Sequence, residues 1–295
     1  MKNIPMPSRD TVREDLVKAI KRYRYKQQLL GHTITAEEID QVLAIYDRYD
    51  ADQGVASDLL KGPRLPRALI DAMEAAYDKT QESRQLYPLR QSLFEGVDLC
   101  PICGITPPVE LDHFLPRSQF KTLAIYPRNL VPLCHACNHT KLAGFGDEGD
   151  DERFLHAYFD IMPDEQFLDA NIDIQGGGLI VTFSISDHAD LPEGYSERLT
   201  RQMTSLRLND RYEREVNSYI SSHAVTLHLQ HSVGGQDAVR SFLNFQARFE
   251  RRQFYLNHWR PTLLSALARH DEFTDGGFAQ VMPLPRDLLD DIANP

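Results

Sequence analysis

The chain has 295 residues, of which 42% are hydrophobic and 25% are charged, and its formal net charge is −11. This composition is typical of a folded, water-soluble protein, and no apolar run reaches the roughly 20 residues that a membrane-spanning helix needs. The first ten residues lack the apolar core of a secretion signal. The sequence therefore predicts a cytoplasmic protein with no membrane contact.

The negative charge is concentrated in the second half of the chain. Residues 1–85 carry 14 basic and 14 acidic side chains, residues 86–145 carry 5 and 4, and residues 146–295 carry 13 and 25. A protein that binds nucleic acid needs positive charge only where it meets the phosphates. The acidity therefore argues against non-specific coating of DNA, but it leaves a local binding site in the first 145 residues open.

The first 85 residues are predicted to be a helical region. Apolar residues recur at helical spacing from Val12 to Tyr23, Thr35 and Glu38 form the pattern of a capping box, and a third helix is predicted over 67–85. A basic stretch ends the first of these helices and comprises Lys18, Lys21, Arg22, Arg24 and Lys26. Two interpretations stay open for it, a solvated helix face and an arm that contacts phosphates.

Residues 146–295 form the last predicted region. The acidic stretch 147–152 is interpreted as a linker. Alternating apolar residues on both sides of a triple glycine predict a β-hairpin at about 170–186. Long helices are predicted from about 196 to 223 and from about 236 onward. The second carries a stripe of aromatic residues that we interpret as core or as a partner interface.

The four cysteines of the chain form two Cys-x-x-Cys pairs, Cys100 with Cys103 and Cys134 with Cys137. In a cytoplasmic protein, such pairs indicate metal ligands rather than disulfides. Two such pairs complete a tetrahedral zinc site, and four thiolates leave no open position for a reactant. The predicted zinc is therefore structural.

The residues between the two cysteine pairs suit phosphodiester hydrolysis. This reaction needs a hard cation beside the phosphate and a base that takes a proton from water. Asp112 offers a carboxylate for the cation, and His113 offers an imidazole that titrates near neutral pH.

The segment from Asp98 to Lys141 resembles the HNH family of ββα-metal endonucleases in its four-cysteine form. Besides the cysteines, the matching positions are Asp112, His113, Pro116, Asn129, Leu130, Asn138 and Lys141. The chain departs from the family name at its last letter, where Asn138 replaces histidine. The family includes active members with this asparagine, and its hard oxygen favours Mg²⁺ or Mn²⁺.

The resemblance implies a role for each matching residue. His113 resembles the general base, Asp112 and Asn138 resemble the two ligands of a catalytic Mg²⁺ or Mn²⁺, and Asn129 resembles the residue that braces the loop and orients the base. Three cations are predicted to contact nucleic-acid phosphates: Lys141, Arg117 and Lys121. For the two cations in the loop between the strands, a solvated loop stays open as the alternative.

The expected protein is α+β and mostly helical. A central ββα-metal module at 86–145 is flanked by the helical region 1–85 and by region 146–295. The resemblance implies a metal-dependent endonuclease acting on DNA, and the alternative is a zinc-stapled module that binds nucleic acid or protein without cutting. Small HNH proteins with helical flanks also resemble nuclease subunits of bacterial anti-phage systems. This predicts an ATPase or sensor partner, or a homo-oligomer.

Overall fold

The structure is a computed structural model that describes residues 1–142, 144 and 153–293. It divides into two compact units, residues 2–162 and residues 163–293 together with Met1. The acidic stretch 147–152, interpreted above as a linker, lies outside the described residues. The predicted helical region and the predicted nuclease module lie in the first of these units.

The first unit combines helices with two small antiparallel sheets, so the predicted α+β class is confirmed. Its helices are α1 (Val12–Ala19), α2 (Ala36–Ala51), α3 (Arg67–Ala76), α4 (Tyr87–Phe94) and α5 (His135–Lys141). Its strands are β1 (Tyr23–Tyr25) paired with β2 (Gln28–Leu30), and β3 (Glu110–His113) paired with β4 (Leu130–Leu133). The succession of β3, β4 and α5 is the predicted ββα arrangement.

Helix α2 begins at the capping box that the sequence predicts. The Thr35 hydroxyl accepts a hydrogen bond from the backbone N–H of Glu38, and the Glu38 carboxylate accepts one from the backbone N–H of Thr35. These bonds satisfy two backbone donors that have no partner within the helix. At the other end of α2, the ring of Tyr46 stacks on Tyr126 with 4.1 Å between the ring centres. Helix α2 thus packs against the loop between β3 and β4.

The segment after α1 differs from the prediction. The helical spacing was expected to continue to Tyr23, but α1 ends at Ala19 and the chain turns into the β1–β2 hairpin. Tyr23 lies opposite Leu30 and Tyr25 lies opposite Gln28. Aromatic and apolar residues of this kind favour paired strands. Of the basic stretch, Lys18 lies on α1, Lys21 and Arg22 lie between α1 and β1, and Arg24 and Lys26 lie on the two-stranded hairpin.

The third predicted helix is shorter than expected. Helix α3 ends at Ala76, and a 3₁₀ turn follows over Tyr77–Thr80. The Thr80 hydroxyl donates a hydrogen bond to the carbonyl oxygen of Tyr77 at 2.8 Å. Local hydrogen bonds of this kind compete with the backbone hydrogen bonds that would extend the α-helix. The turn places Tyr77 beside strand β3, where its hydroxyl donates a hydrogen bond to the carbonyl oxygen of Leu111.

The second unit contains the predicted hairpin and a set of helices. Strands β5 (Leu168–Gln175) and β6 (Gly178–Ile185) are joined by Gly176 and Gly177, whose φ values are 58° and 80°. Two positive φ values in succession suit a two-residue hairpin turn. The helices are α6 (Tyr195–Ser205), α7 (Leu208–Ser221), α8 (Ala224–Gln253), α9 (Trp259–Arg269), α10 (Phe278–Val281) and α11 (Arg286–Ala293).

One detail of these helices differs from the prediction, and one prediction is made more specific. The helix expected over 196–223 is broken at Arg207, where φ is 49°. The aromatic stripe of α8 is only partly buried, since Phe245 and Phe249 are 66% and 51% exposed. Among the described residues, no helix combines the length and the apolar character needed to span a membrane.

Candidate active site

The four cysteines predicted to bind zinc lie together. Cys100, Cys103, Cys134 and Cys137 are buried, and their sulfur atoms lie within 4.8 Å of one another. The sulfur atoms of Cys103 and Cys134 are 3.7 Å apart, whereas a disulfide would hold them at about 2.05 Å. A tetrahedral zinc with bonds of about 2.3 Å separates its ligand atoms by about 3.8 Å. The cluster therefore fits a structural zinc.

Local turns and one strand pairing assemble this cluster. Gly104, with φ of 64°, turns the chain directly after Cys103. The second pair begins α5, where the sulfur of Cys134 accepts a hydrogen bond from the backbone N–H of Cys137. The antiparallel pairing places the start of β3 opposite the end of β4, so the two turns meet.

Three of the four predicted catalytic residues share one cleft of about 460 Å³, and the fourth, Asn129, is buried outside its lining. Asp112, His113 and Asn138 line the cleft, together with Tyr77 and Arg117. Asp112 and His113 are neighbours in β3, and neighbours in a strand point to opposite faces. Both reach the cleft because His113 is the last residue of the strand, where the chain turns into the loop.

The imidazole of His113 is held by one hydrogen bond and one ring contact. Its Nε2–H donates to the carbonyl oxygen of Ala124 at 2.9 Å, and its ring centre lies 4.5 Å from that of Tyr77. Burial, with the positive charges of Arg117 and Lys141, lowers the pKa of His113 to about 4, below the near-neutral value that the sequence analysis expected. Because a carbonyl oxygen can only accept, Nε2 carries the proton of the neutral ring and Nδ1 is left as the basic atom.

Asn129 is fully buried and ties the loop between the strands together. Its Oδ1 accepts a hydrogen bond from the backbone N–H of Leu115 at 2.9 Å. Its Nδ2 donates to the carbonyl oxygens of Leu115 at 3.1 Å and Leu123 at 3.3 Å. The bond to Leu123 fixes the peptide next to Ala124, whose oxygen holds His113. Asn129 thus acts on the imidazole through the backbone.

Two residues that the sequence analysis did not select support Asn129. The Tyr49 hydroxyl donates to Asn129 Oδ1 at 3.1 Å and accepts from Nε2 of His156 at 2.9 Å. The other ring nitrogen of His156 accepts from the backbone N–H of Tyr158, which assigns the proton to Nε2. Tyr49 lies on α2 and His156 follows the module, so no sequence pattern connects them.

Lys141 lies in the interior, whereas the sequence analysis expected it to contact a phosphate. Its side chain is 2% exposed, and its Nζ lies 2.9 Å from the carboxylate of Asp112, which is 5% exposed. It also donates to the carbonyl oxygens of His113 and Phe114 at 3.0 and 3.3 Å. Burial raises the pKa of Asp112, and the charge of Lys141 opposes this rise. Lys141 therefore balances the charge of a buried carboxylate.

Asn138 lies on the helix that follows the second cysteine pair, and it contacts a further carboxylate. Its Nδ2 donates to Glu110 at 2.6 Å, and the other oxygen of Glu110 lies 2.7 Å from Nδ1 of His135. These bonds lower the pKa of Glu110. The Glu110 contact orients the amide of Asn138. Glu110 is two residues before Asp112 on one strand, so strand alternation could have identified it.

The two other predicted phosphate contacts differ in position. Arg117 lines the cleft, lies over the ring of Tyr77 and pairs with Asp78 at 3.5 Å. Lys121 lies outside the cleft lining and is paired with Glu74 at 2.6 Å. The structure thus brings Arg117 to the predicted catalytic residues and leaves Lys121 bound to a carboxylate of α3.

Loss of one zinc ligand is expected to unfold the module. Replacing Cys137 by Ser should release the zinc, which we expect at about one ion per chain in the wild type, because a structural zinc contributes directly to folding. Metal content by mass spectrometry and thermal unfolding check this. His135→Ala is the matched control, since His135 lies between the two cysteines of its pair and points to solvent. Equal zinc content in the Cys137→Ser protein and the wild type would contradict the assignment.

Removal of the Asn129 amide is expected to cost about 2 to 4 kcal/mol of unfolding free energy, because each buried polar group left without a partner costs about 1 to 3 kcal/mol. Asn129→Ala in denaturant unfolding measures this cost. Tyr49→Phe, which removes one hydroxyl from the same network, should cost about 1 kcal/mol. Equal losses in the two variants would show that the loop does not depend on Asn129.

Comparison with known proteins agrees with this geometry. The model of the HNH endonuclease family matches residues 100–143. The Protein ea31 of Escherichia phage lambda is 23% identical over 211 residues, which cover 68% of this chain and 70% of the phage protein. No solved structure matches the chain. The family match coincides with the four-cysteine cluster and the ββα arrangement, so residues 100–143 carry a module similar to the HNH endonucleases, and its four cysteines fit the zinc-stapled form.

Proposed function

We propose that this protein is a metal-dependent endonuclease that hydrolyses phosphodiester bonds of DNA, with His113 as the general base. One observation carries the proposal. The Nε2 atom of His113 is bound to the Ala124 oxygen, which makes Nδ1 the basic atom of an imidazole that lines one cleft with Asp112 and Asn138. A module that only binds nucleic acid does not need an imidazole oriented in this way.

The chain's own residues supply the base and its orientation. His113 is neutral above its lowered pKa, so it can take a proton from water at neutral pH. The resulting imidazolium keeps its Nε2–H on Ala124. Arg117, at the edge of the same cleft, supplies a positive charge for a phosphate.

Asp112 and Asn138 would hold the divalent ion, Mg²⁺ or Mn²⁺. Carboxylate and amide oxygens are hard ligands that suit these ions. The Nδ2 of Asn138 is bound to Glu110, which leaves its amide oxygen for a cation. When bound, such an ion neutralises charge on the phosphate and stabilises the leaving oxygen.

The proposal also covers the role of the protein in the cell and its partners. The resemblance supports a nuclease effector of a bacterial anti-phage system, controlled by an ATPase or sensor partner or by a second copy of the chain. Exposed Phe245 and Phe249 on α8 support a protein contact. Four cysteines arranged as metal ligands rather than as disulfides support a reducing, cytoplasmic environment.

Cleavage of plasmid DNA tests the catalytic assignment. We expect cleavage with Mg²⁺ or Mn²⁺ and none with EDTA. His113→Ala should lower the rate about 10²- to 10⁴-fold, because a positioned general base contributes that much. Asn138→Ala should raise the metal concentration needed for half-maximal cleavage.

His139→Ala is the control for these variants, because His139 is the exposed neighbour of Asn138 on α5. It should cleave like the wild type. Zinc content and circular dichroism establish that each variant is folded. Undiminished cleavage by folded His113→Ala protein would reject this mechanism, and absence of cleavage by the wild type with every metal would favour the non-catalytic binding module.

Lys141→Met is expected to lower the unfolding free energy by about 3 to 5 kcal/mol, because it leaves the buried carboxylate of Asp112 without its cation. The double variant Asp112→Asn with Lys141→Met should recover part of this loss, since it leaves no buried charge. Denaturant unfolding of the wild type, Asp112→Asn, Lys141→Met and the double variant measures the coupling energy between the two side chains. A phosphate-contacting lysine would behave differently, with unchanged stability and a weaker salt dependence of DNA binding.

A further inference from the structure

A second cleft lies in the same unit, and the turn after α3 contributes to both clefts, with Tyr77 in the first and Lys79 in the second. Its volume is about 720 Å³, and it is lined by the β1–β2 hairpin, α3 and the turn after α3. Four basic side chains line it, namely Lys21, Arg22, Lys79 and Arg84. Arg24 and Lys26 are exposed on the same hairpin. We call these six side chains the basic track.

Most of the basic track has no acidic partner. Among the residues that the structure describes, no ion pair is formed by Lys21, Arg22, Arg24 or Arg84. The two aspartates of the cleft lining are bound elsewhere, since Asp71 pairs with Arg67 and Lys121, and Asp78 pairs with Arg117. In a chain of net charge −11, this is a concentration of uncompensated positive charge.

The cations also repel one another. Lys79 donates a hydrogen bond to the carbonyl oxygen of Ala19, and burial together with the positive charge of Lys21 lowers the pKa of Lys79. Holding like charges close together without counter-ions is unfavourable. An anion bound in the cleft would relieve this repulsion.

The turn of the β1–β2 hairpin has a backbone conformation that is unfavourable for the residues it contains. Lys26 and Gln27 have φ values of 44° and 66°, a region where residues with a Cβ cost roughly 1 to 2 kcal/mol each. Glycine or asparagine is usual at such positions. The chain instead carries an exposed lysine in this turn.

The basic track lies next to the candidate active site. Tyr77 lines the cleft of His113, and Lys79, two residues later, lines the basic cleft. Two residues span at most about 7 Å, which corresponds to about two base-pair steps of 3.4 Å along a strand. One nucleic acid can therefore reach both clefts.

We propose that the basic track binds the phosphate backbone of duplex DNA and holds it across the neighbouring nuclease cleft. A two-stranded ribbon is narrow enough to enter the major groove, which is about 12 Å wide. Tyr23, 56% exposed on β1, adds contact surface on the ribbon. The inference rests on the proposed nuclease function, and it assigns substrate positioning to residues outside the HNH module.

Binding of a short fluorescein-labelled duplex to the full chain, without added divalent metal, tests the proposal. The test variant, which we call the hairpin variant, carries Lys21→Gln, Arg22→Gln and Arg24→Gln together. Each phosphate contact contributes about 0.9 to the slope of log K against log salt, so the slope should fall by about 2 to 3. We expect the Kd at moderate KCl to rise at least about tenfold.

The control replaces three exposed cations that already have carboxylate partners, Arg13, Arg48 and Lys61, each by Gln. It changes the net charge equally, and its Kd should stay within about twofold of the wild type. Equal loss of binding in the two triple variants would show a general charge effect and overturn the proposal. A Kd of the hairpin variant equal to that of the wild type would also overturn the proposal. That result would favour an acidic protein as the ligand of the cleft.

Plasmid cleavage by the same preparations separates this inference from the proposed function. The hairpin variant should cleave more slowly at low DNA concentration and approach the wild-type rate at saturation, because its His113 site is intact. If the wild type cleaves and the hairpin variant binds normally, the basic track is rejected and the nuclease assignment stands. If no protein cleaves but the hairpin variant alone loses binding, the nuclease assignment fails and the basic track stands.

Discussion

The candidate active site depends on the buried amide of Asn129. This side chain bonds to the backbone of Leu115 and Leu123 and so closes the long loop between β3 and β4. The closed loop holds the Ala124 oxygen where it accepts a hydrogen bond from the Nε2–H group of His113. A free loop would leave the imidazole with no preferred tautomer or direction. The basic nitrogen of the site is thus set by an amide that does not touch it.

Positive charge serves two different purposes in the first unit. Lys141 is buried and paired with Asp112, so its charge makes an interior carboxylate tolerable and is not available to a ligand. The side chains of the basic track lie at the surface, and most of them have no acidic partner among the described residues. Counting basic residues in the sequence cannot distinguish these cases, because burial decides which cation compensates an acid and which meets solvent.

Several features followed from the sequence because their signals are local. The capping box of Thr35 and Glu38, the glycine turn of the β5–β6 hairpin and the two cysteine pairs each involve residues a few positions apart. Asp112, His113 and Asn138 were found through a motif whose spacing a ββα arrangement imposes. Glu110 was missed although the alternation of β3 places it on the same strand face as Asp112.

The sequence by itself determined the position of the module, its four clustered cysteines and the residues of the candidate active site in its cleft, since these depend on short spacings. Tertiary structure alone decided that Lys141 faces the interior and that Tyr49 and His156 support Asn129. It also decided that basic residues after α1 and after α3 line one cleft. The reason is physical. Packing between elements far apart in the chain sets burial and charge pairing, and periodicity within one element carries no information about its neighbours.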